Sequence, residues 1–145
     1  MTVEDLIRSR KEVFCVAPET TVLDAARYLR DKQLRAVAVC DEKGRPIGIV
    51  SQSDISVKVT AENKCPAWVR ASEIMSTDLR TVTMETPLEQ CLQVMESRGI
   101  YHLLVIDHTR GFQGLISAKD LLKVIAADSK QRAETLESYM FPRWA

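Results

Sequence analysis

The sequence predicts a mixed α/β (α+β) fold of two β-α-β-β-α repeats packed about a pseudo-twofold axis. Three observations carry this. The segment Gly48-Ile49-Val50-Ser51-Gln52-Ser53-Asp54-Ile55 returns as Gly114-Leu115-Ile116-Ser117-Ala118-Lys119-Asp120-Leu121, at an offset of 66 residues, and a fixed offset marks an internal repeat. That offset aligns eight identities between Phe14 and Val57 without a gap, including Val16/Val82, Glu19/Glu85, Thr20/Thr86, Val39/Val105 and Asp41/Asp107. Apolar positions agree in the same register: Val22/Leu88, Leu29/Met95, Leu34/Ile100, Val37/Leu103 and Val50/Ile116. Helices on one face of a three-stranded sheet leave the other face bare, and a unit of about 55 residues buries little core alone. Two such units can cover each other's bare faces, which gives the doubling a physical reason.

The elements follow in order. Val3 to Arg10 is a lead-in of one or two helical turns with Val3, Leu6 and Ile7 inward. Val13 to Ala17 is β-prone and ends at Pro18. Thr20 or Thr21 can cap the next helix, with Asp24 in its first turn. Val22, Ala25, Ala26 and Leu29 recur at helical spacing and mark one buried face through about Lys32. Ala36 to Cys40 is a buried strand, Asp41 to Arg45 a turn, and Pro46 to Val50 the return strand of a hairpin. A helix is predicted from Ser51 to about Thr60. In the second half, Ala71-Ser72-Glu73-Ile74-Met75 is the lead-in and Leu79 to Thr83 the first strand. Pro87 is expected in the first helical turn, where its missing N–H costs nothing. Leu88, Cys91, Leu92 and Met95 form the buried helical face. Leu103 to Ile106 and Phe112 to Ile116 are the hairpin strands, and Ser117 to Ala127 is the last helix of the repeat. The expected division is 3–61 for the first repeat, 62–70 for the linker, 71–127 for the second repeat and 128–145 for a C-terminal helix and tail. In that tail Ala133, Leu136, Tyr139 and Met140 form an apolar stripe, followed by Phe141, Pro142 and Trp144. The stripe either folds back on its own chain or meets a second copy, and a homodimer is expected because so apolar a patch is poorly left open.

Composition narrows the function classes. Apolar content is 46% and charged content 28%, as in soluble globular proteins. Twenty basic residues balance twenty acidic ones, so charge gives no argument for a nucleic-acid or membrane partner. No apolar run reaches the ~20 residues of a membrane span, and the start lacks a secretory pattern; a cytoplasmic location is expected. Cys15, Cys40, Cys65 and Cys91 lack metal-ligand spacing. Cys15, Cys40 and Cys91 read as buried free thiols, and Cys65, beside Pro66, as exposed. No Ser/His/Asp set is legible and the histidines are His102 and His108, so no enzyme, catalytic residue or metal site is expected.

The two G-h-h-S-x-x-D-h segments (h, apolar), the Ala71–Met75 lead-in and the strand His102-Leu103-Leu104-Val105 resemble a tandem pair of cystathionine β-synthase (CBS) domains, a Bateman module, over residues 3–127. Leu104 stands where that family more often has proline, and Ser53 to Lys58 is a less bulky helix start than usual. The resemblance implies a regulatory module, usually dimeric, that needs no cofactor and binds an adenosine-containing ligand (AMP, ADP, ATP, S-adenosylmethionine or a dinucleotide) in clefts between the repeats, signalling to an unknown effector protein. It implies one cleft joining Ser117 and Asp120 to Phe14, Leu34, Arg35 and Ala36. The other would join Ser51, Ser53 and Asp54 to Arg80, Ile100, Tyr101 and His102. Lys119, at the same helix start as Asp120, could neutralise a phosphate.

The chemistry is reasonable. One carboxylate can accept two hydrogen bonds from a vicinal diol, and an ionised acceptor makes the stronger kind. A helix start favours phosphate, and a guanidinium such as Arg35 suits its geometry. The same residues have plainer readings. Ser51/Asp54 and Ser117/Asp120 have the spacing of a capping box with Asp in place of Glu. Arg35 and Lys119 can be surface cations, His102 a satisfied junction residue, and Tyr101 a cover for the core edge. Arg80 could block its own cleft. The rival to a nucleotide sensor is therefore a ligand-free interaction module whose Ser/Asp pairs only cap helices, with a thiol-based sensor at Cys65 as a third reading.

Overall fold

A computed structural model describes residues 1–128 and 137–140 of the chain. The element order is α1 (Val3–Ile7), β1 (Cys15–Val16), α2 (Val22–Lys32), β2 (Ala36–Cys40), β3 (Pro46–Ser51), α3 (Gln52–Ile55), α4 (Ala71–Ile74), β4 (Thr81–Val82), α5 (Leu88–Arg98), β5 (His102–Asp107), β6 (Gly111–Ser117) and α6 (Ala118–Asp128). Two three-stranded sheets form, ordered β1-β2-β3 and β4-β5-β6. In each the first pair is parallel and the second antiparallel. This is the expected α+β tandem repeat.

The repeat extends to details. Register shifts occur between Val39 and Cys40 and between Val105 and Ile106, at the same position of each hairpin. α2 and α5 both end on a left-handed residue, Gln33 at φ 57° and Gly99 at φ 64°. Their starts differ. Thr21 caps α2 by accepting from the Asp24 N–H at 3.1 Å. Pro87, expected inside the first turn of α5, is instead its N-cap residue. Its peptide is held extended by a bridge to Thr2, so the helix begins one residue later. The helix expected from Ser51 to Thr60 is α-helical only over α3 and continues as a π-helix, Ser56–Thr60.

Each lead-in helix packs into the core of the other repeat. Val3, Leu6 and Ile7 of α1 join Val82, Leu88, Met95, Leu103 and Leu121. Ala71 and Ile74 of α4 join Val22, Leu29, Val37, Val39 and Val50. Matching backbone bonds fix both crossings: Val3 N–H donates to Thr86 and Glu4 N–H to Met84, as Ala71 N–H donates to Thr20 and Ser72 N–H to Pro18. The acceptors are 66 residues apart and the donors 68, so the stretch from the start of α1 to β1 is two residues longer than that from the start of α4 to β4.

Between the sheets lies a third, smaller cluster of Ala38, Cys40 and Leu104, flanked by Ile49, Leu79, Phe112 and Leu115. These are the bare faces covering each other. Among the thiols, Cys40 and Cys91 are buried, and burial pushes them up to about 12 and about 11. Cys15, expected inside, is exposed, as is Cys65. Cys15 lies on an edge strand whose next residue, Val16, turns into the helix-covered core. In the tail, Met140 packs on the second-repeat core and Tyr139 is exposed; Ala133, Leu136, Phe141, Pro142 and Trp144 lie outside the described residues.

Leu104 is fully buried at the centre of the inter-sheet cluster. Leu104→Ala should cost about 2–5 kcal/mol, the range for a buried leucine truncation, read from urea unfolding midpoints at unchanged slope.

Candidate ligand-binding site

Both Ser/Asp pairs close capping boxes. Ser51 N–H donates to Asp54 Oδ2 at 2.9 Å and Asp54 N–H to Ser51 Oγ at 3.1 Å. Ser117 and Asp120 repeat this at 2.8 and 3.1 Å. The plain capping reading therefore holds at both sites, and any ligand must use what the caps leave over.

Different residues cover the two boxes. Asp54 is closed in on its free side: Lys58 Nζ stands 3.0 Å from Oδ1 and Ser76 Oγ 3.5 Å. Ser76 also exchanges backbone hydrogen bonds with Ile49, at 3.0 and 2.8 Å. A Cβ added at Gly48 would run into the Met75 side chain, 2.9 Å from its Cβ. The space above that glycine is filled by protein, and the seam beside Asp54 is plugged. Arg80, which this seam would share, pairs with Asp78 at 3.3 Å, and its carbonyl accepts from Leu104 N–H.

At the second box one side chain, Arg10, does the work of Ser76. Its Nη2 donates to Asp120 Oδ2 at 2.8 Å and its Nη1 to the Leu115 carbonyl. Leu115 is the repeat counterpart of Ile49, so the same edge carbonyl is satisfied by a backbone bridge in one seam and by a guanidinium in the other. Gly114 lies beneath Arg10, with φ 117°, and a Cβ there would stand 3.7 Å from Nη1. Among the described residues, Asp120 Oδ1 has no hydrogen-bond partner, and the side chain is 34% exposed.

His102 pairs across the sheet with Ser117. Its imidazole is held below the usual value by burial, opposed by the carboxylate of Asp120 and reinforced by the cation Arg35. The charges of Asp120 and of Arg35, an exposed residue of the first repeat, thus both act on His102. His102 was expected beside Ser51 and Asp54; it stands beside Ser117 and Asp120. Of the other expected residues, Ala36 is buried and pairs with Ser51. Leu34 packs in the first-repeat core and Ile100 in the second. Phe14 lies edge-on to Tyr28 at 6.3 Å with Lys32 Nζ 5.7 Å from its ring centre. Ser53, Lys119 and Tyr101 are exposed; the Tyr101 carbonyl accepts from Ala118 N–H at 2.9 Å. A 280 Å³ depression lined by Ala26, Leu29, Arg30, Gln52, Ile55, Ser56 and Thr60 lies on the helical face of the first repeat and includes none of the Ser/Asp pairs. Among the described residues no His, Cys, Asp and Glu cluster could hold a metal, and no helix is long and apolar enough to cross a membrane.

The sequence reading missed Arg10, Met75 and Ser76, which meet their partners only through the fold. Lys58 was legible: Asp54 and Lys58 have the i,i+4 spacing of a helical ion pair.

The model of the CBS domain family matches residues 3–60 and 71–127. The chain belongs to the CBS domain family. An uncharacterized protein of Methanopyrus kandleri is 29% identical over 116 residues, covering 80% of this chain; the match spans only 59% of that relative. A putative signal-transduction protein with CBS domains from Burkholderia ambifaria superposes with a TM-score of 0.82 at 27% identity, covering 89% of this chain and 96% of its own. Two more distant CBS structures share the fold. One, from Pyrobaculum aerophilum, is complexed with AMP (TM-score 0.74, 18% identity, 88% of this chain and 99% of its own). The other is a CBS domain pair complexed with 5′-methylthioadenosine and S-adenosyl-L-methionine (TM-score 0.77, 22% identity, 89% and 98%).

The depressed His102 fixes the sign of a pH effect in this CBS pair. The unfolded imidazole takes up a proton near its ordinary 6.5, while the folded one resists. Stability present above that pH should be lost as pH falls through the folded value. Thermal midpoints measured from about pH 8 to about pH 5 should fall less steeply in His102→Gln.

Proposed function

We propose that this CBS pair is a regulatory module that binds one adenosine-containing ligand per chain, at the Asp120 seam, and passes occupancy to a partner protein. The observation that carries this is the asymmetry of the two capping boxes: Asp54 is closed in by Lys58 and Ser76, whereas Asp120 keeps Oδ1 open and is 34% exposed. A partly desolvated carboxylate with a free oxygen is the acceptor that a ribose diol calls for. The AMP and S-adenosylmethionine complexes of the two distant CBS structures support an adenosyl ligand. In this reading Ser117 remains a cap and orients Asp120, while Arg35, Ala36 and Phe14 border the base from the first repeat. The Ser51, Ser53 and Asp54 seam, with Arg80, Ile100 and Tyr101, serves structure.

The module catalyses nothing and acts through a homodimer or a separate effector. Occupancy shifts such an assembly only by differential affinity for its two states.

Isothermal titration with AMP, ATP and S-adenosylmethionine tests the proposal. One of them should bind with a stoichiometry of one. At about 100 times its Kd it should stabilise by about 2.7 kcal/mol, raising Tm by about 5–11 °C. Asp120→Asn, which keeps the size and loses the charge, should weaken binding by roughly tenfold or more. A stoichiometry of two, or silence from every adenosyl compound in a folded protein, counts against the reading; the second favours a ligand-free interaction module.

A further inference from the structure

We infer that the Asp120 seam selects adenosine ligands that carry a phosphate, with Arg10 as the specificity-determining residue. This rests on the adenosyl reading above and names the ligand class within it. A guanidinium carries five N–H donors. Among the described residues Arg10 spends two of them, one on Asp120 and one on the Leu115 carbonyl. These two contacts fix the side chain, which is only 29% exposed, and leave the other donors for an anion. Arg10 can therefore hold Asp120 in place for a diol and still meet a phosphate, with no rearrangement of the cap.

Charge gives the second argument. Arg10 and Arg35 bring two positive charges to the seam, and Asp120 brings one negative charge. Burial keeps His102 toward its neutral form, and Arg35 acts in the same direction. The Arg10–Asp120 pair is neutral, so the charge left over is that of Arg35, whose side chain is exposed at the edge of the seam. A phosphate monoester complements it. Neutral adenosine does not, and a sulfonium cation adds to the excess. In the other seam the cations are already paired, Lys58 with Asp54 and Arg80 with Asp78, and the counterpart of Arg10 is the uncharged Ser76.

The test is titration of the full chain with adenosine, AMP, ATP and S-adenosylmethionine, for the wild type, Arg10→Ala and Arg10→Lys. AMP should bind wild type roughly ten- to hundredfold more tightly than adenosine, the span of one hydrogen bond to a charged group. Arg10→Ala should lose most of that advantage, read as the ratio of AMP to adenosine affinity within the same variant. Arg10→Lys should recover part of it, and added salt should weaken AMP more than adenosine. If AMP and adenosine bind wild type equally, or if Arg10→Ala tightens either, Arg10 is a plug and the inference fails while the adenosyl reading stands. If no adenosyl compound binds, both fail. Should Arg10→Ala not fold, the wild-type ratio of AMP to adenosine decides.

Discussion

Neither repeat of this chain has a complete core of its own. Each borrows a helix from the other: α1 supplies Val3, Leu6 and Ile7 to the second-repeat core, and α4 supplies Ala71 and Ile74 to the first. Two amphipathic helices are thereby committed across the seam, each pinned by backbone bonds to the strand-to-helix junction it covers. The sheet-to-sheet cluster of Ala38, Cys40 and Leu104 is small by comparison. The crossing helices therefore set how the two sheets sit, and so what the seams between them look like.

The seams inherit an asymmetry from this arrangement. After α4 the chain runs along β3 closely enough for Ser76 to form a backbone bridge with Ile49 and for Met75 to fill the space beside Gly48. After α1 it keeps its backbone further away, and only the long side chain of Arg10 reaches Leu115 and Asp120. The motif glycines accordingly serve different needs. Gly48 is required for space, since any Cβ would collide with Met75, while Gly114 is required for its φ of 117°. Two copies of one motif thus carry one closed and one open carboxylate.

Most of the fold was legible in the sequence because the repeat supplied two readings of every element. Helices α2 and α5 and strands β2 and β3 were readable from apolar spacing and turn chemistry alone. Short elements were less so: β1 and β4 are two residues each, and no local pattern says where so short a strand begins. The start of α5 depended on a long-range bridge to Thr2 rather than on the preference of Pro87. The capping boxes were visible in Ser-x-x-Asp. Their surroundings were not, because Arg10 and Asp120 lie 110 residues apart and nothing local distinguishes Arg10 from Arg8. For the same reason His102 was assigned beside Asp54, when β5–β6 pairing sets it beside Ser117.

The exchange of lead-in helices also bears on how the chain is made. Synthesis proceeds from the N-terminus, so α1 emerges well before the repeat whose core it joins. Val3, Leu6 and Ile7 have nothing to cover them until Val82, Leu88 and the strands beyond have left the ribosome. The first repeat likewise waits for α4. Neither repeat can complete its core alone during synthesis, and the apolar face of α1 waits for its cover while nascent chains are most exposed to mispairing.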